Sequence, residues 1–242
     1  MDVGLIAYGA ERNYLERLNL VANNIANVNT AGFKGDLAVH LPSVNAGSHK
    51  QSPLPLMRVA LDSSQGALKE TNRQLDVAIE GNGYFQVDTP LGPRFTRSGS
   101  FVVDSEGQIV TKEGYTLTGD GGALTLQPTD NVLKIGSNGE IYAMTETGPQ
   151  LRGTIGIYKF SDPSGLQKVG NSYFTSSAGP ENAVVNDDYK VAQGMLEDSN
   201  VNSMREMTEM IEINRNTEML SKIISNNNTL LKDAVNRIAA KN

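Results

Sequence analysis

Two stretches of helix-type patterning, one at each end of the chain and more than 150 residues apart, enclose a middle that reads as short strands. In the first, Tyr8, Leu15, Leu18, Ala22 and Ile25 fall in a register of alternating steps of three and four, which puts them on one helical face. Glu11 and Asn29 occupy two further slots of that register, and Gly4 and Gly9 weaken helix formation near the start. In the last, Ile213, Thr217, Leu220, Ile224, Asn227, Leu231, Ala234 and Ile238 step alternately by four and three, a heptad seam with polar interruptions at Thr217 and Asn227. An isolated helix is marginal in water and takes most of its stability from packing. Each stripe is therefore expected to face the other helix or a neighbouring copy, with both termini side by side beside a β-rich body.

The helical ends are crowded with asparagine. Asn19, Asn23, Asn24, Asn27 and Asn29 lie in or after the first, and Asn200, Asn202, Asn214, Asn216 and Asn226 to Asn228 in or before the second. Asparagine is a poor helix-interior residue, and a buried one needs partners for both halves of its amide. Among helices packed on all sides, such amides can fix register and choice of neighbour. Charge points the same way. Residues 1–35 hold three acids and three bases and residues 196–242 seven acids and six bases, so about five of the six net negative charges lie in the middle. Near-neutral helices crowd together without repulsion.

Composition removes several functional classes. The chain has no cysteine, so it has no disulfide framework, thiolate nucleophile or Cys-ligated zinc. A sequence pI of about 5.0 and a net charge of −6 oppose a nucleic-acid partner. No run of 18 apolar residues is present to span a bilayer. Met1-Asp2 opens without a basic n-region or an apolar h-region, from which no cleaved signal peptide is expected.

The first helix is expected to stop at Asn29-Thr30-Ala31-Gly32. Residues 36–70, rich in Pro, Gly, Ser and Gln up to Gly66, read as an extended connector with one or two short strands. Strand-type runs follow at 75–79, 84–87, 101–103, 108–111, 116–117, 124–126, 133–135, 141–144 and 153–160, separated by turns such as Gly81-Asn82-Gly83, Glu113-Gly114 and Asn138-Gly139. Many short strands with frequent turns indicate an antiparallel barrel or sandwich. The organisation expected is α+β: residues 1–35 and 196–242 as paired terminal helices forming a coiled coil, 36–70 as connector, and 71–195 as a β-rich outer domain. Ser203 with Glu206 offers a capping box for the last helix, with Asn200 as an alternative cap.

Candidates for chemistry are weak. Gly81-Asn82-Gly83 precedes a strand, whereas a phosphate loop needs a helix N-terminus. Asp104-Ser105-Glu106-Gly107 lacks the remaining ligands of a calcium loop. His40 and His49 sit in the polar connector without an acid motif, and Asn227-Asn228-Thr229 is a glycosylation sequon on the helix seam. Arg94, Arg97 and Lys112 are either subunit contacts or intradomain partners. Met204, Met207 and Met210 read as the packed face of a helix, with the adaptability to meet unlike neighbours. No nucleophile, base and orienter set emerges, so no catalytic, cofactor-binding or metal-binding residue and no small-molecule substrate is expected. The residues expected at a protein–protein interface are Leu15, Leu18, Ala22, Asn24, Ile25, Asn27, Asn200, Met207, Met210, Leu220, Ile224, Asn227 and Leu231. Removing residues 1–35 is expected to abolish assembly while leaving the β body folded.

Four strings carry a resemblance. Residues 21–34 (VANNIANVNTAGFK), 75–87 (LDVAIEGNGYFQV), 95–101 (FTRSGSF) and 194–202 (GMLEDSNVN) are similar, in order and spacing, to the bacterial flagellar rod and hook proteins. The match runs from end to end. Within that family, the short length, Gly119-Asp-Gly-Gly-Ala-Leu-Thr-Leu126 and Ile135-Gly-Ser-Asn-Gly-Glu-Ile141 look most like the proximal-rod branch, with the distal-rod branch next. One departure is Thr217 between Arg215-Asn216 and Glu218, where the family tends to carry an aromatic residue. The resemblance implies a non-catalytic subunit of the basal-body rod where it crosses the periplasm. It implies polymerisation with itself and with proximal- and distal-rod proteins, and export in unfolded form through the flagellar type III apparatus. The terminal helices would form the inner, axial layer of a drive shaft that carries torque for motility, with the β domain outside; an adaptor between axial segments is the alternative.

Overall fold

In the computed structural model, residues 3–41, 56–130, 132–146, 148–160, 165–170, 172–176, 181–182 and 189–239 are described, and the chain divides into two units. One comprises residues 1–26, 36–60 and 202–242, the other 27–35 and 61–201.

The first unit is built on two helices, α1 (Val3–Ala26) and α2 (Ser203–Ala239), which pack against each other. Strands Asp36–Leu41 and Leu56–Leu61 pair as a small sheet, the first of them against α1. Residues 42–55, including His49, lie outside the described set. The α2 seam follows the heptad reading: Ile213 is 1% exposed, and Thr217, Leu220, Ile224 and Asn227 are half-buried. Thr217 satisfies its hydroxyl by donating to the Ile213 carbonyl at 2.9 Å. The side chains of Leu231, Ala234 and Ile238 lie outside the described set.

The buried face of α1 differs from the expected stripe. Val21 and Asn24 are buried, Leu18 and Ile25 half-buried, and Leu15 and Ala22 exposed. Polar pairing sets this rotation: Arg17 donates to Glu209 at 2.6 Å and Asn24 to Glu206 at 3.1 Å, both across to α2. The cap of α2 also differs. The Asn202 side-chain oxygen accepts the amides of Met204 and Arg205, each at 3.1 Å, so Asn202 is the N-cap in place of Ser203 or Asn200.

The second unit is mostly antiparallel β. Its largest sheet orders strands Leu166–Lys168, Tyr173–Ser176, Gly92–Thr96, Tyr84–Thr89, Thr116–Gly119, Ile109–Thr111 and Phe101–Val103, with Ile157–Lys159 branching off Tyr84–Thr89. The path runs from edge to edge, so the pairing among described residues does not close the expected barrel. Leu133–Ile135, Glu140–Thr145 and Gly148–Thr154 form a second sheet. The core gathers Phe85, Val87, Phe101, Leu117, Ile141 and Ile157 with neighbours from both sheets. Leu124 and Leu126, read as strand residues, are instead core plugs beyond the short strand Gly122–Ala123.

Chain segments from distant parts of the sequence complete this unit. Val77–Gly81 pairs with Tyr189–Gln193, Val191 opposite Ile79, and Leu68–Glu70 pairs with Met195–Glu197. Gly32, with φ of 68°, lets the chain after α1 lie so close that a Cβ there would stand 2.2 Å from the Ser98 nitrogen. Gly81-Asn82-Gly83 is the turn between two strands of this unit, and Asp104 accepts the amides of Glu106 and Gln108 in a closed Asx turn.

Candidate assembly surface

Within the helical unit, burial on one side of α2 contrasts with exposed apolar residues on the other. Met204, Met207 and Ile211, at steps of three and four, lie on the side of α2 away from Ile213, and Met219, Ile223 and Leu230, at steps of four and seven, run along one flank of the seam. Met204 is 73% exposed, Ile223 51% and Leu230 68%, and on α1 Leu15 is 48% exposed. Met204 and Met207 therefore do not pack a helix face within the chain, contrary to the sequence reading, while Met210 is half-buried. An apolar stripe standing in water on a helix whose opposite side is already buried is the mark of a surface that meets another protein.

The asparagines divide. Asn24 spends its amide inside the helical unit: its oxygen accepts the Asp36 N–H, and its nitrogen donates to the Asp36 carbonyl and to Glu206. Asn200 does the same in the β unit, accepting from the Gly35 amide at 2.8 Å and donating to the Asp62 carbonyl and Ser64. Asn27 is half-buried beside the turn in which Thr30 donates to it. Leu18, Ile25, Met210, Leu220, Ile224 and Asn227 are half-buried, and Leu15, Ala22 and Met207 are exposed.

Sequence reasoning missed a buried charge cluster in the β unit. The Lys34 ammonium donates to Glu197 Oε1 at 2.5 Å and to the Ser64 carbonyl at 2.6 Å. Arg97 donates to Glu197 Oε2 at 3.4 Å and to the Gly81 carbonyl at 2.8 Å, and lies over the Tyr84 ring. Glu197 also accepts the Gly66 amide, and its carbonyl accepts the Gly32 amide. All three charged side chains are buried. Burial pulls the Lys34 ammonium below the usual lysine range, against the pull of Glu197, and the Arg97 charge adds to the lowering. Arg97 is thus an intradomain partner, and Lys112 is exposed. Among the described residues, no group of three or more acidic or histidine side chains is placed to hold a metal ion, and no helix is long and apolar enough to cross a membrane.

Paired terminal helices with an outward apolar stripe and a β body define a structural, assembly-forming class of protein. Comparison with known proteins makes the class specific. Residues 6–34 match the family described as "Flagella basal body rod protein", 78–143 "Flagellar hook protein FlgE/F/G D1 domain", and 192–237 "Flagellar basal body rod FlgEFG protein C-terminal". The chain is 30% identical to the flagellar basal-body rod protein FlgF of Mesorhizobium japonicum, over 98% of this chain and 97% of that protein. It is 34% identical to FlgF of Caulobacter vibrioides over 93% of each, and 34% identical to FlgG of Bacillus subtilis over 93% of this chain and 94% of that protein. The chain belongs to the flagellar basal-body rod protein family. It is a structural rod protein of the flagellar basal body, in a family not known as enzymes.

Proposed function

We propose that this chain is a proximal-rod subunit that polymerises with itself, with other proximal-rod proteins and with the distal-rod protein. The observation that carries the proposal is the exposed apolar residues of α2, which no described residue of the helical unit covers although the Ile213 seam of the same helix is buried. In the rod, residues 1–35 and 196–242 form the axial inner domain, where the two terminal helices pair as a coiled coil. Residues 36–70 connect it to an outer β domain, 71–195. Leu15, Leu18, Ala22, Ile25, Met207, Met210, Leu220, Ile224, Asn227 and Leu231 make the interface, with Asn24, Asn27 and Asn200 holding the chain in the geometry that presents it. The subunit reaches the periplasmic rod through the type III export apparatus.

The likeness to FlgG at a similar level of identity supports a second reading, a distal-rod subunit or an adaptor between axial segments. Complementation separates the two. Expressed in a bacterium lacking FlgF, the chain restores complete basal bodies and swimming, and in one lacking FlgG it does not. Rescue of the FlgG-deficient strain alone overturns the proximal assignment, and rescue of neither overturns both.

A further inference from the structure

The Lys34–Glu197–Arg97 cluster brings together three parts of the chain far apart in sequence, and two of its three members carry the same charge. Lys34 follows α1, Arg97 follows strand Gly92–Thr96, and Glu197 lies in strand Met195–Glu197, 163 residues from Lys34. Each is buried. Glu197 is the carboxylate bonded to both cations, and it also receives the Gly66 and Gly32 amides, through its side chain and its carbonyl respectively. Without Glu197, closing the unit would bury two cations in one site, each raising the cost of the other. Removing one partner of a buried ion pair is far more costly than replacing the whole pair by apolar groups.

We propose that this cluster is a folding lock: the β unit closes only when residues 27–35 and 194–201 have both docked, because Glu197 is the carboxylate that bonds Lys34 and Arg97 together and makes their shared burial tolerable. The surrounding backbone is fitted to the same event. A Cβ at Gly66 would lie 2.0 Å from the Asp198 carbonyl oxygen, and one at Gly32 2.2 Å from the Ser98 nitrogen, so both segments pack at a backbone distance that only glycine allows. Whichever end of the chain becomes available first, the unit stays open until the other end arrives. The inference does not depend on which part of the rod the protein occupies.

Pulse-labelling hydrogen exchange during refolding of the intact chain tests the lock. The Gly32 and Gly66 amides are expected to gain protection in the same kinetic phase as Phe85 and Val87 in the central strand. Strand protection at least 10-fold faster than that of Gly32 and Gly66 overturns the proposal. A second measurement uses Glu197→Gln in the full chain, which is expected to slow strand protection by 10-fold or more. The triple variant Lys34→Met/Arg97→Met/Glu197→Met, which removes every charge of the cluster, is expected to recover most of that rate. Wild-type strand protection kinetics in Glu197→Gln, or no recovery in the triple variant, also overturns it.

Discussion

Asn24 and Asp36 exchange two hydrogen bonds, the side-chain oxygen of Asn24 accepting the Asp36 amide and its nitrogen donating to the Asp36 carbonyl, both at 3.0 Å. The asparagine side chain thus behaves as one rung of a β ladder, and it also donates to Glu206 on α2 at 3.1 Å. One residue ties α1, strand Asp36–Leu41 and α2 into a single unit. Asn24→Ala leaves the donor and acceptor of the half-buried Asp36 backbone without these partners, a loss of about 1–3 kcal/mol. Urea unfolding followed by helical circular dichroism measures it, and a loss well under about 0.5 kcal/mol would show that the exchange is incidental.

Two truncations are predicted to part company. Removing residues 1–26 deletes α1 and leaves the β unit its full set of strands, so β circular dichroism and cooperative melting should persist. Removing residues 1–35 also takes away Phe33, which is buried under the Lys168 ammonium 4.0 Å from its ring, and Lys34 of the charge cluster. That second truncation, expected from sequence to leave the β body intact, is now predicted to unfold it. Equal melting of the two truncated chains would refute this.

Gly32 stands at a position where L side chains are strained, with φ of 68° and no room for a Cβ beside Ser98. Gly32→Ala is expected to destabilise the β unit by about 1–3 kcal/mol from backbone strain alone, with the steric clash adding to it. Gly121, where an added Cβ meets nothing within 4 Å and φ is not in the left-handed region, supplies the control: Gly121→Ala should be close to neutral in the same thermal melt.

How much of this was legible in the sequence depends on the range of the interaction. The α2 seam was readable from Ile213 to Asn227 because its heptad is regular and the helix buries or half-buries those positions as spaced. The rotation of α1 was not, because Arg17, Asn24 and their partners Glu209, Glu206 and Asp36 outweigh small Ala22 in choosing the buried face. Lys34, Arg97 and Glu197 lie in three of the strings that carry the family resemblance, yet nothing in a linear pattern says that they meet. Strands such as Tyr189–Gln193 and Met195–Glu197 escaped notice for a related reason. They are short and mixed in character, and their partners lie over 100 residues upstream.

Acid should weaken one tie in the β unit. Tyr173 donates to Glu113 at 2.6 Å. Burial pushes the Glu113 carboxyl up, but the bonds from Tyr173, its own backbone amide and Thr111, with the Lys112 charge, hold it below its ordinary value of 4.5. A depressed carboxyl stabilises the fold fully above its unfolded value, and the contribution is lost as pH falls through the folded value. Burial and Glu113 raise the Tyr173 hydroxyl, so it stays a donor throughout. In Tyr173→Phe the Glu113 midpoint, followed by carboxyl carbon NMR, should move upward; an unmoved midpoint would assign the depression to the other groups.

The two sides of α2 should respond oppositely to substitution. Ile213 is fully buried on the seam, so Ile213→Ala is expected to cost about 2–5 kcal/mol of helical-unit stability, with loss of rods as a secondary consequence. Ile223, on the outward stripe, is 51% exposed, and Ile223→Glu should change the stability of the isolated subunit by no more than about 0.5 kcal/mol. In the assembled rod, however, the new carboxylate would be buried against an apolar neighbour without a partner, which is strongly unfavourable. Purified Ile223→Glu subunit should therefore unfold in urea like the parent while the bacteria that carry it fail to complete basal bodies and do not swim. Normal swimming with this variant would mean that the outward stripe of α2 is not the surface through which the subunit polymerises.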